Sequence, residues 1–189
     1  MDLSCIKGVV LKNYRYIERR NRMFQKIAIW VGAVTGAILL AWILVHFCLE
    51  VITVHGNSMQ PAYYDGDMIL MNKLDYHFHD PDRQDAAILE LENGSSVHYT
   101  LKRVVGLPGE SVLMRDGRLF INGKEQSGFD ESILSAGLAA YEIKLGEDEY
   151  FVIGDNYNNS EDSRVANIGN IKREQFAGKA AFILRKGKR

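Results

Sequence analysis

Ser58 lies in the hexapeptide Gly56-Asn57-Ser58-Met59-Gln60-Pro61. A serine in a tight, glycine-containing turn presents its hydroxyl beside exposed backbone N–H groups. That arrangement suits a nucleophile next to an oxyanion hole. Gly-Asn-Ser is also ordinary turn composition, so the hexapeptide alone does not separate the two readings. A second segment, Tyr99-Thr100-Leu101-Lys102-Arg103-Val104-Val105-Gly106-Leu107-Pro108-Gly109-Glu110, carries a lysine in a largely apolar run. On a strand, Lys102 shares a face with Thr100 and Val104 while Arg103 points the other way. Burial there disfavours the ammonium and lowers its pKa, which would make Lys102 a general base. The competing reading is a surface lysine at a strand end. A third, polar segment, Gly154-Asp155-Asn156-Tyr157-Asn158-Asn159-Ser160-Glu161-Asp162-Ser163-Arg164, follows an apolar run. It suits a solvated loop or a calcium site, although it lacks the spacing of an EF-hand loop.

Other residues admit rival chemistry. His98 or His55 could serve as the base of a Ser-His-Asp hydrolase, and His98 falls on the same strand face as Lys102. His77 and His79 would share one face of a strand and could form half of a metal site, but no third ligand has suitable spacing. No metal and no cofactor are expected.

The elements that must position these residues read as mostly β. Runs rich in β-branched and aliphatic residues at 50–54, 67–72, 86–92, 97–105, 111–114, 118–121, 141–144, 150–153 and 180–185 predict strands. Asn93-Gly94, Asp116-Gly117 and Asn122-Gly123 predict hairpin turns, because Asn, Asp and Gly tolerate positive φ. Only 130–140 and 172–176 read as helical, and both are short. Many closely spaced strands without long helices predict an antiparallel sandwich or barrel-like domain.

The whole-chain averages conceal a division. The 189 residues hold 23 basic and 24 acidic side chains, a net charge of −1. The isoelectric point is near 6.5 and the mean hydropathy −0.15. These values exclude a wholly basic nucleic-acid binder and an acidic disordered chain. Two cysteines cannot build a disulfide scaffold. Yet residues 27–49 form a 23-residue run without Asp, Glu, Lys or Arg. As a helix it would span about 35 Å, enough to cross a bilayer core. Trp30 and Trp42 lie towards its ends, where indoles favour the interface. The run is longer than the apolar region of a cleaved signal peptide and is followed by no Ala-x-Ala pattern.

Splitting the charge gives a topology. Residues 1–26 carry seven basic and two acidic side chains, or +5; the remaining 16 basic and 22 acidic side chains give −6. The positive-inside bias then keeps 1–26 as a cytoplasmic basic tail, makes 27–49 a transmembrane helix and exports 50–189 as a β-rich domain. A basic stretch at 185–189 would suit anionic lipid headgroups.

The three polar segments, in this order behind one N-terminal span, closely resemble bacterial type I signal peptidases, and the Gram-positive members in particular. Gly66-Asp67-Met68-Ile69-Leu70-Met71-Asn72-Lys73 and the run 178–182 extend the resemblance along nearly the whole chain. It implies a mainly β, antiparallel catalytic domain of the signal-peptidase and SOS-repressor-peptidase type. It also implies a Ser-Lys dyad, with Ser58 as nucleophile, Lys102 as general base and Ser160 aiming Lys102. Asp162 and Arg164 would be a buried supporting pair, and Asp155 a partner for Arg103. The Ser58 N–H would donate to the oxyanion. Gly56 stands where Gram-negative members place a second hydroxyl donor, which leaves that donor open. Ala62 replaces the Thr usual after the motif's proline.

The resemblance further implies substrates. Exported preproteins would be cut after small-x-small signals, bound as an added strand between the edges near 52–54 and 100–101. Ile52, Val54, Met59, Tyr63, Thr100 and Leu101 would line shallow pockets for small side chains. Ser58 follows Leu49 by nine residues, which would hold the site near the membrane surface. Preprotein signal peptides and membrane lipids are the expected partners, with a monomer in the membrane and no nucleic acid. The non-enzymatic alternative is a membrane-tethered scaffold that retains the fold.

Overall fold

A computed structural model describes residues 3–93, 96–127 and 133–187. Two units make up the chain, residues 1–46 and 47–189.

The first unit is one helix. α1 runs over Leu3–Cys48, beginning well before the charge-free stretch. The absence of charge marks which residues tolerate lipid, whereas helicity depends on backbone propensity. The Lys- and Arg-rich tail has no proline to stop the helix. Within it, Asn21–Cys48 is long and apolar enough to cross a membrane. At Leu49 the chain passes straight into a strand, as the β-branched run Val51-Ile52-Thr53 takes over.

Among the described residues the second unit has eleven strands: β1 (Leu49–Thr53), β2 (Met68–Asn72), β3 (Ala86–Asn93), β4 (Ser96–Gly106), β5 (Ser111–Arg115), β6 (Arg118–Ile121), β7 (Lys124–Glu125), β8 (Ile143–Lys144), β9 (Glu149–Ile153), β10 (Ile171–Lys172) and β11 (Phe176–Arg185). A short helix, α2, covers Asp75–Phe78. The large sheet has the order β1-β2-β11-β3-β4-β9-β10 and the small one β7-β6-β5-β8. Every pairing is antiparallel.

Period-two alternation assigns the core. Ala87, Leu89, Val104 and Val152 pack on one face of the large sheet with Tyr150, Ile171 and Phe176. Ala86, Ile88 and Leu101 pack on the other face with Val54, Met59, Ile69 and Met71. Val112, Met114, Leu119 and Ile121 of the small sheet close over Phe151 and Ile153. Both residues of Asp116-Gly117 (φ 54° and 73°) and of Asn122-Gly123 (φ 51° and 72°) have positive φ. That is the geometry of two-residue hairpin loops that match strand twist. Gly94 and residues 128–132 lie outside the described residues.

Several elements differ from the sequence reading. Within the described part of 130–140, residues 133–140, only Gly137–Ala140 is helical, and as a 3-10 turn. The helix expected at 172–176 is a 3-10 turn over Arg173–Gln175, entered from β10 and left into β11. β11 therefore starts four residues before the expected strand at 180. The small residues Ala177 and Gly178 concealed it, since Gly178 packs against the backbone of Asn72 with no room for a Cβ. His77 and His79 are not on a strand: His77 is in α2 and His79 caps it. α2 docks on β11 through Lys179, which bonds Asp85 at 2.7 Å and approaches Asp75 at 3.6 Å.

The serine loop, residues 54–67, is closed at its base. Val54 N–H donates to the Asp67 carbonyl at 2.8 Å and Gly66 N–H returns a bond to the Val54 carbonyl at 2.9 Å. The buried Asp67 carboxylate accepts from Tyr64 N–H at 2.9 Å and from Gly187 N–H at 2.6 Å. Replacing Asp67 by Ala strands both donors and should cost about 3 kcal/mol. Thermal unfolding in detergent would then show a clearly lower Tm, with Asp67→Asn in between; an unchanged Tm would show that the carboxylate does not hold the loop.

Candidate active site

β4 carries the central side chain. Lys102 sits opposite Ala87 of β3, and β9 covers the other edge of β4 only from Arg103 onward. The lysine therefore marks the end of the covered stretch. It is only 4% exposed, and its Nζ lies 3.1 Å from both Ser58 Oγ and Ser160 Oγ. Burial pushes its pKa below the ordinary lysine value; Arg164 adds to that, while Asp162 and Glu161 oppose it. A neutral amine here accepts the Ser58 proton through its lone pair and keeps N–H donors for Ser160.

The loop presents Ser58 through backbone geometry. Gly56 has φ +83°, and its N–H is held by Asp65 Oδ1 at 2.8 Å. The Ser58 carbonyl accepts from Asn156 N–H at 2.9 Å, and the Asn156 side chain donates to the Asn57 carbonyl at 3.1 Å. Ser58 N–H itself donates to no protein acceptor among the described residues, and so is free for a developing oxyanion. Gly56 N–H is already taken by Asp65.

Ser160 is fixed from behind. Asp162, fully buried, forms a two-point pair with Arg164 at 2.7 and 2.8 Å and accepts Gly154 N–H at 3.0 Å. Arg164 also donates to the carbonyls of Ser135 and Tyr157 at 3.1 and 2.6 Å. A charge pair this well bonded keeps both ions satisfied out of water. Arg103 and Asp155 form a second two-point pair at 2.9 and 2.5 Å, which raises the Arg103 pKa further. The Asp155 end of that pair directly follows Gly154.

Beside Ser58 lies a cavity of about 460 Å³, with walls from β1 (Ile52, Thr53), from Val54, His55 and Met59, and from His98 to Leu101 of β4. β1 is the outer strand of its sheet, and β4 before Arg103 has only β3 beside it among the described residues. Two free strand edges thus flank the groove. Ile52, Val54, Met59, Thr100 and Leu101 line it, and Tyr63 packs against the cluster beneath it. The Tyr63 phenol lies within the field of Arg103 and Asp155, and burial raises its pKa. His98 and His55 line the groove, but neither hydrogen-bonds Ser58.

The comparison with known proteins settles the family. The description "Signal peptidase, peptidase S26" matches residues 27–185. The chain belongs to this signal peptidase family. It is 33% identical over 173 residues to signal peptidase I S of Bacillus subtilis (strain 168), covering 84% of this chain and 89% of that one. Signal peptidase I T of the same organism is 36% identical over 166 residues, covering 82% and 83%. A signal peptidase I crystal structure from Enterococcus faecalis V583 matches 55% of this chain and all of its own at 28% identity, with a TM-score of 0.43.

Three residues of this signal peptidase site escaped the sequence reading: Gly154, Asn156 and Asp65. Gly154 and Asn156 stood within the third polar segment but drew no role, because their contacts reach about 100 residues back to the serine loop. A Cβ on Gly154 would overlap Ser160 Oγ and the Ser58 carbonyl oxygen. Gly154→Ala should therefore part the serines from Lys102 and lower kcat on the order of 100-fold. The far-ultraviolet circular dichroism should stay that of the wild type. Full activity in that variant would mean the close approach at Gly154 is dispensable. Relieving the buried amine should have the opposite effect on stability. Lys102→Met should raise Tm at neutral pH, by about 2–4 °C for each kcal/mol of desolvation removed.

Proposed function

We propose that this protein is a membrane-anchored serine endopeptidase that removes N-terminal signal peptides from exported preproteins through a Ser58–Lys102 dyad. The observation that carries the reading is the buried Lys102 amine, 3.1 Å from the Ser58 hydroxyl, at the mouth of a groove between two free strand edges.

The chemistry follows from that placement. The preprotein segment before the cleaved bond adds as a strand between β1 and β4, donating and accepting main-chain bonds along both. Small side chains at the first and third positions before the bond face Ile52, Val54, Met59 and Leu101, where larger ones meet the core packing. Ser58 Oγ attacks the scissile carbonyl carbon while neutral Lys102 takes its proton, and the new oxyanion faces the Ser58 N–H. Lys102 then gives the proton to the departing amine of the mature chain as the C–N bond breaks. Water, deprotonated by Lys102, attacks the acyl-serine and releases the signal peptide and Ser58. Ser160, held in place by Gly154 and the Asp162–Arg164 pair, keeps Lys102 aimed throughout.

Topology belongs to the same reading. The +5 tail stays in the cytoplasm, α1 crosses once, and the domain from residue 50 onward faces outward. Anionic lipids contact the basic stretch at 185–189, and the protein acts as a monomer in the membrane.

Cleavage of a purified preprotein by the full-length protein in detergent tests the roles. Ser58→Ala and Lys102→Ala should each lose on the order of 10³-fold or more. Lys102→Arg should also be inactive, because a guanidinium does not give up its proton. His98→Ala should keep cleavage within about tenfold; a loss matching that of Ser58→Ala would transfer the base role to histidine. Since Lys102 acts unprotonated, kcat/KM should rise with pH through an apparent pKa below that of a free lysine. No cleavage of any preprotein by the wild type would leave the scaffold alternative standing.

A further inference from the structure

A second cavity, of about 730 Å³, lies on the far side of the same strand edge, with Glu90, Leu91, His98, Glu161, Lys172 and Glu174 among its walls. His98 also lines the groove beside Ser58, so the two cavities meet at β4. The pleat of the sheet says how a bound strand would use both. Leu101 packs with the cluster that floors the groove. Thr100 and His98 stand on the opposite face, across from Leu89 and Leu91 of β3. Leu89 belongs to the other cluster, and Leu91 and Ile168 pack against it; both Leu91 and Ile168 line the second cavity. At the near end, Glu161 adjoins Ser160, which touches Lys102. At the far end, His98 lies about 13 Å along β4 from Lys102. The cavity therefore accompanies β4 over the stretch that a four-residue segment before the cleaved bond would occupy.

A strand added to that edge continues the alternation. If its first and third side chains face the groove, its second and fourth face the other way. We propose that the second cavity receives the second and fourth preprotein side chains before the cleaved bond and favours basic over acidic residues there. This rests on the peptidase reading above and goes beyond it, because a small-x-small signal says nothing about x. Glu90 shares the face of Ile88 and Leu101 by the same alternation, so it is Glu161 and Glu174 against Lys172 that give this side of the cavity its negative balance. These side chains are exposed, so their effect is a modest, salt-sensitive selection rather than a requirement.

The test compares three preproteins that differ only by Lys, Gln or Glu at the second position, cut by the full-length protein in detergent at low salt. The Lys form should exceed the Glu form in kcat/KM on the order of fivefold, with Gln between them. In about 1 M NaCl, where the Debye length is about 3 Å, the ratio should fall towards one. In the variant Glu174→Lys the Lys-to-Glu ratio should drop to one or invert. Equal rates for the three preproteins, with cleavage intact, would overturn this inference and leave the peptidase reading in place. A preference that persists unchanged in that variant would overturn the assignment to this cavity. Failure of the wild type to cut any of them would overturn the peptidase reading, and the inference with it.

Discussion

A lysine amine buried without a carboxylate in hydrogen-bond contact is the constraint around which this domain is organised. Its ammonium loses hydration against Ala87 and the flanking strands, and its close partners are two neutral hydroxyls. Such a group is held in place only by structure that is stable for other reasons. β3 supplies that support along one edge of β4, and the Asp162–Arg164 pair supplies it behind Ser160. The carboxylate that acts most strongly on it, Asp162, is committed to Arg164 and to Gly154 N–H. Its pull on the proton of Lys102 is thus offset by the guanidinium beside it. The pair steadies the site without making Lys102 a permanent cation.

The same strand that buries the base exposes an edge. β9 pairs with β4 only from Arg103 onward, so one residue separates covered backbone from backbone free to bind an extended peptide. In the proposed mechanism, catalysis and substrate alignment therefore use consecutive positions of one strand: Lys102 for proton transfer and the residues before it for main-chain pairing. On the far side of the groove, β1 serves as the second edge, and it is the strand that α1 runs into.

Much of this was legible in the residues. The β-rich class and the hairpin loops at Asp116-Gly117 and Asn122-Gly123 lie in local patterns with a physical cause, whereas Ser58, Lys102 and the charge pairs of the third polar segment stood out from their rival readings only through the family resemblance. What was not legible depends on distance along the chain. Gly154 reads as turn composition until the Ser58 carbonyl, 96 residues earlier, is seen to touch it. β11 begins at Phe176 although Ala177 and Gly178 have weak strand preference, because the close approach to Asn72 requires small residues there. Tyr63, implied by the resemblance as a pocket residue, packs against the cluster that floors the groove but is not among the groove's walls. The helical start at Leu3 was missed for a different reason, since the charge pattern reports on the membrane and not on the backbone.

β11 lies between β2 and β3 in the large sheet, and the Asp67 carboxylate at the base of the serine loop is completed by the N–H of Gly187. Neither contact exists until residues some 120 positions downstream have been made and, in the proposed topology, have reached the same side of the membrane. A chain still in transit thus carries Ser58 on an unclosed loop beside an incomplete sheet. A peptidase working among nascent exported chains, some of them copies of itself, acquires its nucleophile geometry only when its own passage is finished.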